Sequence, residues 1–303
     1  MTIISKIIIL DYRSIKEVHR EKIKKTKEER FKRITFSRTQ KIFEGATFMK
    51  VTAFIGSARK KHTYNTTELL LQKLKLLGDI EYEIVQLSDY NLGTCKGCIL
   101  CMDKGEELCP LKDDRDKLIE KIINSDGVIF ASPNYSFQVS GFMKIFLDRL
   151  GFIFHRPRFF GKAFTSIVAQ GIYGGNNIVK YFNFIGGGFG FNVVKGCCIN
   201  SLEPMTEKGR KKIDKIIDKQ SKRFYSTLIK KEYPTPSLFE LMMFRMARTS
   251  RKIMLNENFR DYTYCMENGW FESDYYYPVK LSAFKKLAGK FFDMVGTRIT
   301  GSR

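Results

Sequence analysis

The chain has 303 residues, 43% of them hydrophobic, and its 53 Lys and Arg against 32 Asp and Glu give a formal net charge of +21. The apolar content excludes global disorder, and because the apolar runs are too short for a membrane span or a secretory signal, we expect a cytoplasmic protein. The positive charge accompanies no helix-turn-helix, zinc-finger or RNP-type motif, so we predict ligands that carry phosphate and no nucleic-acid partner.

Three zones of different composition follow one another along the chain. Residues 1–48 are basic, with 13 Lys and Arg against 6 Asp and Glu, and we expect this N-terminal extension to be untranslated or disordered. Residues 49–231 alternate short β-branched runs with amphipathic stretches, which is typical of an α/β domain. The segment Pro234-Thr235-Pro236 marks a boundary, and we predict that residues 232–303 form a C-terminal helical extension.

The middle zone contains five predicted strands with helices between them. The strands are residues 50–55, 82–87, 127–131, 163–169 and 191–199. Helices are predicted at residues 66–77, 113–124 and 139–150, and a long last helix has apolar residues at helical spacing, namely Ile213, Ile216, Ile217, Phe224 and Leu228. Strands that alternate with helices form βαβ units. The predicted fold class is therefore α/β, with a doubly wound five-stranded parallel sheet and helices on both faces.

Polar and glycine-rich segments follow three of these strands. In a doubly wound sheet, ligands bind outside the carboxyl ends of the strands, at the switch point between strands one and three. After strand one, Ser57 and Arg59 precede a helix, and hydroxyls with an Arg at a helix N-terminus can bind a phosphate. Strand three is followed by Ser132-Pro133-Asn134-Tyr135, and strand four by the flexible loop of residues 170–177. We therefore expect a phosphate-bearing planar ligand at this edge.

The Gly-Ser-x-Arg and Asn-Thr residues before the first helix, the Ser-Pro-Asn-Tyr segment and the later Lys144, Asp148 and Arg149 carry a family resemblance. Residues 50–231 resemble the NADPH-dependent FMN reductase and iron-sulfur flavoprotein group of the flavodoxin superfamily. The resemblance implies a flavodoxin-like fold that holds FMN. It assigns the FMN phosphate to Ser57, Arg59, Asn65 and Thr66. It assigns the two edges of the isoalloxazine ring to Pro133, Asn134 and Tyr135 on one side and Gly171, Gly174 and Gly175 on the other.

Four cysteines form a second group, Cys95-x2-Cys98-x2-Cys101-x7-Cys109, in the loop after strand two. The first three have the spacing of bacterial ferredoxins, and four thiolates so close in sequence can ligate an iron–sulfur cluster. The compact run resembles that of the iron-sulfur flavoproteins, which implies a 4Fe–4S cluster. Two alternatives stay open from the spacing, because unliganded thiols and a structural zinc site fit the same pattern.

The resemblance implies an NAD(P)H-dependent flavin oxidoreductase. Its reduced nicotinamide substrate would pass reducing equivalents through FMN to a quinone, flavin, nitro compound or similar acceptor. The chemistry would take place on the flavin, so no catalytic side chain is assigned. One alternative is an iron-sulfur flavoprotein that carries electrons without direct use of nicotinamide. Another is a basic binding protein with a degenerate flavodoxin fold.

The C-terminal zone predicts an amphipathic helix at residues 236–255, with Phe239, Met242, Met243 and Met246 on its apolar face. Stripes rich in Met usually fill protein cores, so we expect this helix to pack on the domain or on a partner subunit. A homodimer is the expected assembly, and the electron acceptor is a small molecule or a redox protein. Contact of the helix with a membrane surface is the less favoured alternative.

Overall fold

The computed structural model describes residues 48–301, and these residues contain a parallel β-sheet covered by helices. Its strands are β1 (Met49–Ile55), β2 (Ile80–Gln86), β3 (Gly127–Pro133), β4 (Ala163–Gln170), β5 (Asn192–Val193) and β6 (Cys197–Asn200). The strand order is β2-β1-β3-β4-β5, every pairing is parallel, and β6 also pairs with β4. This order confirms the predicted flavodoxin-like doubly wound sheet. The predicted N-terminal extension lies outside the described residues, except for Phe48.

The helices that connect and follow these strands number nine within the described residues. They are α1 (His62–Lys75), α2 (Leu100–Asp103), α3 (Arg115–Ile123), α4 (Gly141–Arg149), α5 (Gly175–Gly188), α6 (Glu207–Leu228), α7 (Leu238–Met254), α8 (Arg260–Glu267) and α9 (Ala283–Gly301). Single 3-10 turns occupy Leu87–Asp89, Glu106–Leu108 and Gly151–Phe154. Within residues 48–301 no helix is both long and apolar enough to span a membrane.

The fifth strand differs from its prediction, because residues 191–199 form two short pieces instead of one strand. β5 pairs with the start of β4 and β6 with its end. Between the two pieces, Gly196 lies against Ser166 of β4, and a β-carbon at Gly196 would be 2.1 Å from the Ser166 hydroxyl oxygen. The pairing with β4 shifts by one residue between the pieces, from Ala163 opposite Asn192 to Ile167 opposite Cys197, so one extra residue interrupts the strand.

Two apolar clusters, one on each face of the sheet, form the core of the α/β part. One joins the strands to α3, α4 and α5 and is dominated by aromatic rings, including Phe54, Phe130 and Phe164, which are all fully buried. The other joins the strands to α1 and α6 through Leu70, Ile217 and other aliphatic residues. Burying one such side chain contributes about 1.5–3 kcal/mol, so the two clusters hold the helices on both faces and leave the strand ends free.

The C-terminal helices α7, α8 and α9 have a core of their own. Its buried members are Leu241, Phe244, Cys265, Trp270, Tyr275 and Leu281. Helix α7 begins with a capping box, in which the Ser237 hydroxyl accepts from the Glu240 amide and the Glu240 carboxylate accepts from the Ser237 amide. Helix α9 packs along α7, where Asp293 of α9 binds Arg245 and Arg248 of α7. These three helices are called the C-terminal extension below.

Candidate functional site

A cleft of about 230 Å³ opens at the carboxyl ends of β1, β3 and β4, where the topology of the sheet predicts a ligand. Six of the ten residues assigned to the flavin by resemblance line this cleft, namely Ser57, Arg59, Pro133, Asn134, Tyr135 and Gly171. The cleft is also lined by six residues that no sequence motif indicated, namely Lys61, His62, Thr63, Ala169, Gln170 and Ser201. The cleft is therefore built from four loops and the start of α1.

One end of the cleft is suited to an anion. Helix α1 begins at His62, and in the described part of the chain no side chain caps its N-terminus and no acidic residue stands in its first turn. Its free backbone amides and the side chains of Arg59 and Lys61 meet in the cleft, and the Ser57 hydroxyl donates to the Arg59 carbonyl oxygen at 3.1 Å. An uncapped helix N-terminus next to two cations is a favourable phosphate site.

Asn65 and Thr66 stand away from this anion end, because α1 begins four residues earlier than the predicted residue 66. Thr66 is buried and Asn65 is exposed on the second turn, and neither lines the cleft. The helix start was missed because its first buried residues are threonines, Thr63 and Thr67, which apolar periodicity does not detect. The roles predicted for Asn65 and Thr66 stay predictions.

The other end of the cleft is aromatic and holds an unsatisfied acceptor. Asn134 donates from its backbone to Ala169 O at 2.8 Å and from Nδ2 to Tyr173 O at 3.0 Å. Its buried Oδ1 atom has no hydrogen-bond partner among the described residues. Near it, Tyr135, Phe137 and Tyr173 are half-exposed or more, and the Phe137 and Tyr173 ring centroids are 5.3 Å apart. A planar ring with an N–H group, as in FMN, fits such a mouth.

The predicted glycine loop connects the end of β4 to the start of α5, and its glycines differ in their relation to the cleft. Gly171 lines the cleft, whereas Gly174 and Gly175 do not. Gly174 has φ of 93°, a left-handed conformation that favours glycine, and it ends the loop at the start of α5. The Gly175 amide donates to Gln170 Oε1 at 2.6 Å. The two glycines thus shape the loop that carries Gly171 and Tyr173, and a direct contact with the flavin stays a prediction for them.

The four cysteines of the predicted metal site line one pocket, together with Arg115 and Arg149. Cys95 and Cys98 are exposed, Cys101 is half-buried and Cys109 is buried. Among the residues that the structure describes, no three His, Cys, Asp or Glu side chains converge closely enough to hold a single metal ion. An iron–sulfur cluster is several ångström wide, so its cysteines stand farther apart than the ligands of one ion. Four thiols are a donor set that serves both an iron–sulfur cluster and a structural zinc site, so the identity of the metal stays a prediction.

Arginine charges surround the buried end of this pocket. Arg149 Nη1 donates to Cys109 Sγ at 3.1 Å. Burial raises the pKa of Cys109, but the hydrogen bond from Arg149 and the charge of Arg115 outweigh it, so the pKa lies below its usual value. Burial raises the pKa of Cys101, although the nearby charge of Arg156 opposes this. Cys109 is thus held toward the thiolate form, which is the form that binds metal.

The loop that carries the cysteines is tied to the domain by a buried ion pair. Asp113 Oδ1 accepts from Arg149 Nη2 at 3.0 Å, and both side chains are almost fully buried. Asp113 Oδ2 accepts from the Gly93 amide at 2.9 Å. Arg149 belongs to the run that carries the family resemblance, yet no sequence pattern indicates that it contacts both Cys109 and Asp113.

The remaining cysteines of the described chain do not line this pocket. Burial raises the pKa of Cys197 to about 12 and that of Cys198 to about 11. Both are on β6, and Cys265 is buried in the core of the C-terminal extension. These three thiols are held neutral, which suits packing and not metal binding.

Comparison with known proteins places the α/β part of the chain in a family. The family described as NADPH-dependent FMN reductase matches residues 49–201. An iron-sulfur flavoprotein of Archaeoglobus fulgidus is 35% identical over 163 residues, which cover 49% of this chain and 71% of that protein. A second iron-sulfur flavoprotein of that organism is 36% identical over 128 residues, which cover 41% of this chain and 62% of its own length. An azoreductase structure from Bacillus anthracis superposes with a TM-score of 0.47 at 15% identity, covering 59% of this chain and 100% of that one.

Proposed function

The chain belongs to the NADPH-dependent FMN reductase family and is a flavin oxidoreductase, and on this premise we propose that NAD(P)H is its reductant. The acceptor we propose is a quinone, a flavin, a nitro compound or a similar small molecule. The observation that supports this proposal most is the cleft itself, which joins a cationic, uncapped helix end to an aromatic mouth.

Each end of the cleft has its own role in the proposal. Arg59, Lys61, the Ser57 hydroxyl and the first amides of α1 would bind the FMN phosphate. Asn134 Oδ1 would accept from an N–H group of the ring, which would supply the partner that this buried atom lacks. FMN, when bound, supplies the centre that accepts hydride and passes electrons on.

The exposed rings at the mouth of the cleft would guide the second substrate. Tyr135 is 50% and Tyr173 67% exposed, so both can pack on a planar molecule that enters from solvent. The doubly wound sheet is the only β-sheet within residues 48–301. The sequence also has no G-x-G-x-x-G motif, which would indicate a separate dinucleotide-binding domain. We therefore propose that nicotinamide and acceptor use this mouth in turn.

For the four-cysteine pocket we propose a 4Fe–4S cluster. Cys95, Cys98, Cys101 and Cys109 would be its ligands, and Arg115 and Arg149 would offset the negative charge of the thiolates. This pocket is also the observation that favours the second candidate function, an iron-sulfur flavoprotein that exchanges single electrons with a redox protein and does not use nicotinamide directly.

We further propose a homodimer that works in the cytoplasm, where thiols stay reduced. The assembly is supported by α9, which exposes four large apolar side chains on one stripe. Their exposed fractions are 66% for Phe284, 69% for Leu287, 54% for Phe291 and 61% for Met294. Contiguous apolar surface of this kind usually marks an interface between proteins.

Anaerobic spectroscopy of the purified protein tests the proposed function. We expect NADH or NADPH to bleach the visible flavin bands rapidly at about one nicotinamide per flavin, and menadione to restore them. Chemical analysis should give about four irons and four sulfides per chain. Dithionite is the control, because it reduces any accessible flavin. Bleaching by dithionite but by neither nicotinamide would contradict the reductase and support the electron carrier.

A further inference from the structure

A single arginine joins the cysteine loop to the C-terminal extension. Arg156 follows the turn Gly151–Phe154 and is completely buried. Its Nη2 atom donates to the Cys101 carbonyl oxygen at 2.5 Å and to Glu106 Oε2 at 2.8 Å, both in the cysteine loop. Its Nη1 atom binds Asp261 Oδ1 of α8. One guanidinium therefore bridges Cys101, a proposed cluster ligand, and a helix that lies more than 100 residues further along the chain.

Asp261 is the carboxylate through which the extension takes part in this link. Its side chain is 6% exposed, and its Oδ2 atom is 2.6 Å from His155 Nδ1. Burial raises its pKa, but the hydrogen bond to His155 and the charge of Arg156 outweigh burial, so the pKa of Asp261 is below its usual value. The group is ionised at neutral pH and forms a buried pair with Arg156.

Further contacts follow the same path between the cysteine loop and α8. Glu106 also accepts from Arg158 Nη1 at 2.8 Å, and Lys104 Nζ donates to Asn258 O at 3.2 Å. Helix α2, which contains Cys101, packs against α8. Residues 202–303 lie beyond the segment that the reductase family matches, so Asp261 is outside that segment and Arg156 is inside it.

We propose that Arg156 and Asp261 are positioning residues through which the C-terminal extension orders the Cys101–Glu106 part of the metal site. A planar guanidinium can bind the Cys101 carbonyl and a carboxylate at once only in one orientation. Asp261 holds Arg156 in that orientation, because it binds the Nη1 atom and places a negative charge beside the buried guanidinium. Without Asp261, the Nη1 atom of Arg156 would lose its partner, and the guanidinium could rotate and release the Cys101 carbonyl. The functional part of this proposal, an effect on the metal site, rests on the proposed cluster. The structural part rests on the contacts of Arg156 and Asp261 described above.

Asp261→Asn tests the link, with Asp293→Asn as a matched control. Asp293 also binds two basic side chains, Arg245 and Arg248, but it does so inside the extension. The readout is amide hydrogen exchange in metal-free protein at Met102, Asp103, Lys104 and Gly105, whose amides bond to the carbonyls of Ile99 and Leu100. We expect exchange there to be about tenfold faster in Asp261→Asn and unchanged in Asp293→Asn.

A second variant covers the case in which Asp261→Asn does not fold. Arg156→Lys keeps the buried charge, but one ammonium group cannot span Asp261 and the Cys101 carbonyl, so the same faster exchange is expected. After anaerobic reconstitution, both variants should hold less iron than the wild type and have a changed absorbance beyond the flavin bands. Asp293→Asn should match the wild type.

Two results would overturn the proposal. One is unchanged exchange at the four amides in both Asp261→Asn and Arg156→Lys. The other is equal acceleration in Asp293→Asn, which would mean that general loosening of the extension causes the effect. If wild-type protein takes up no iron, the proposed cluster fails, while the exchange of metal-free protein still decides whether Arg156 and Asp261 order the loop.

Discussion

Arg59 stands in the loop between β1 and α1, with its side chain exposed at the anion end of the cleft. If it binds the FMN phosphate, Arg59→Ala should weaken FMN by about tenfold to a hundredfold, since a hydrogen bond to a charged group is worth about 1.5–3 kcal/mol. Riboflavin, which has no phosphate, should bind as before. Fluorescence titration of both flavins measures the difference.

Lys60→Ala is the control, because Lys60 is the adjacent cation and does not line the cleft. Equal loss for FMN and riboflavin would remove Arg59 from the phosphate site.

The cleft residues that could be predicted from the sequence are those at which the end of a strand coincides with a family motif. Ser57, Pro133 and Gly171 follow β1, β3 and β4 directly or end them, so topology alone brings them together. Lys61 and Thr63 were missed because their part in the cleft depends on the true start of α1. Contacts such as Arg149 with Cys109 join residues 40 positions apart, and no periodicity encodes such a pair.

The cysteine loop has little regular structure of its own, so the Asp113–Arg149 pair should stabilise it. Burial raises the pKa of Asp113, but bonds from Arg149 and from the Gly93 amide outweigh burial and lower it. A carboxyl group with a lowered pKa stabilises the fold above its unfolded pKa of about 3.9 and loses this effect as the pH falls further. Asp113→Asn should therefore cost about 3 kcal/mol at pH 7, because it removes the carboxylate partner of a buried Arg.

Urea denaturation at pH 7 and at lower pH measures this cost, and the difference between variant and wild type should shrink below about pH 4. Asp148→Asn is the control. Asp148 pairs with Lys144 on the surface, 2.5 Å away, and such exposed pairs contribute less than about 1 kcal/mol. A deficit in Asp113→Asn that is the same at every pH would show that charge is not the cause.

The positions of helices and strands could be predicted from the sequence where buried apolar residues recur along the element. β3 and β4 are mostly apolar and buried on both faces, and both were located within two residues. The start of α1 contains buried threonines, and the break between β5 and β6 comes from a one-residue shift in their pairing with β4. Neither feature is a pattern of hydrophobicity, so sequence periodicity could not reveal them.

At the scale of the molecule, the doubly wound sheet follows from alternating strands and helices, and the confirmed strand order identifies the ligand edge. The attachment of the C-terminal extension has no such signature. One of its contacts is made by a carboxylate, Asp261, in a polar stretch, which meets Arg156 only once both chain segments are folded. Topology therefore predicts where the flavin cleft lies, whereas the surroundings of the cysteines emerge only from the folded structure.

The compact unit of the structure begins at Met49, the first residue of β1. β1 lies between β2 and β3, and the Met49 amide donates to Asp79 O at 3.0 Å. A chain shortened to begin at Met49 keeps this donor as a terminal amine and keeps every residue of the cleft. We expect it to bind FMN with unchanged affinity and to melt within about 2 °C of the full chain, because it keeps every buried residue of the described part of the chain. Calorimetry and FMN titration measure both quantities.

A chain shortened further, to begin at Gly56, is the matched control for this prediction. It lacks β1, whose residues Val51, Ala53, Phe54 and Ile55 are completely buried between both core clusters. The sheet would then lose the strand that joins β2 to β3, so this shorter chain should not fold. If the chain from Met49 also fails to fold or to bind FMN, residues 1–48 contribute to the stability of the domain, and their basic sequence has a structural role.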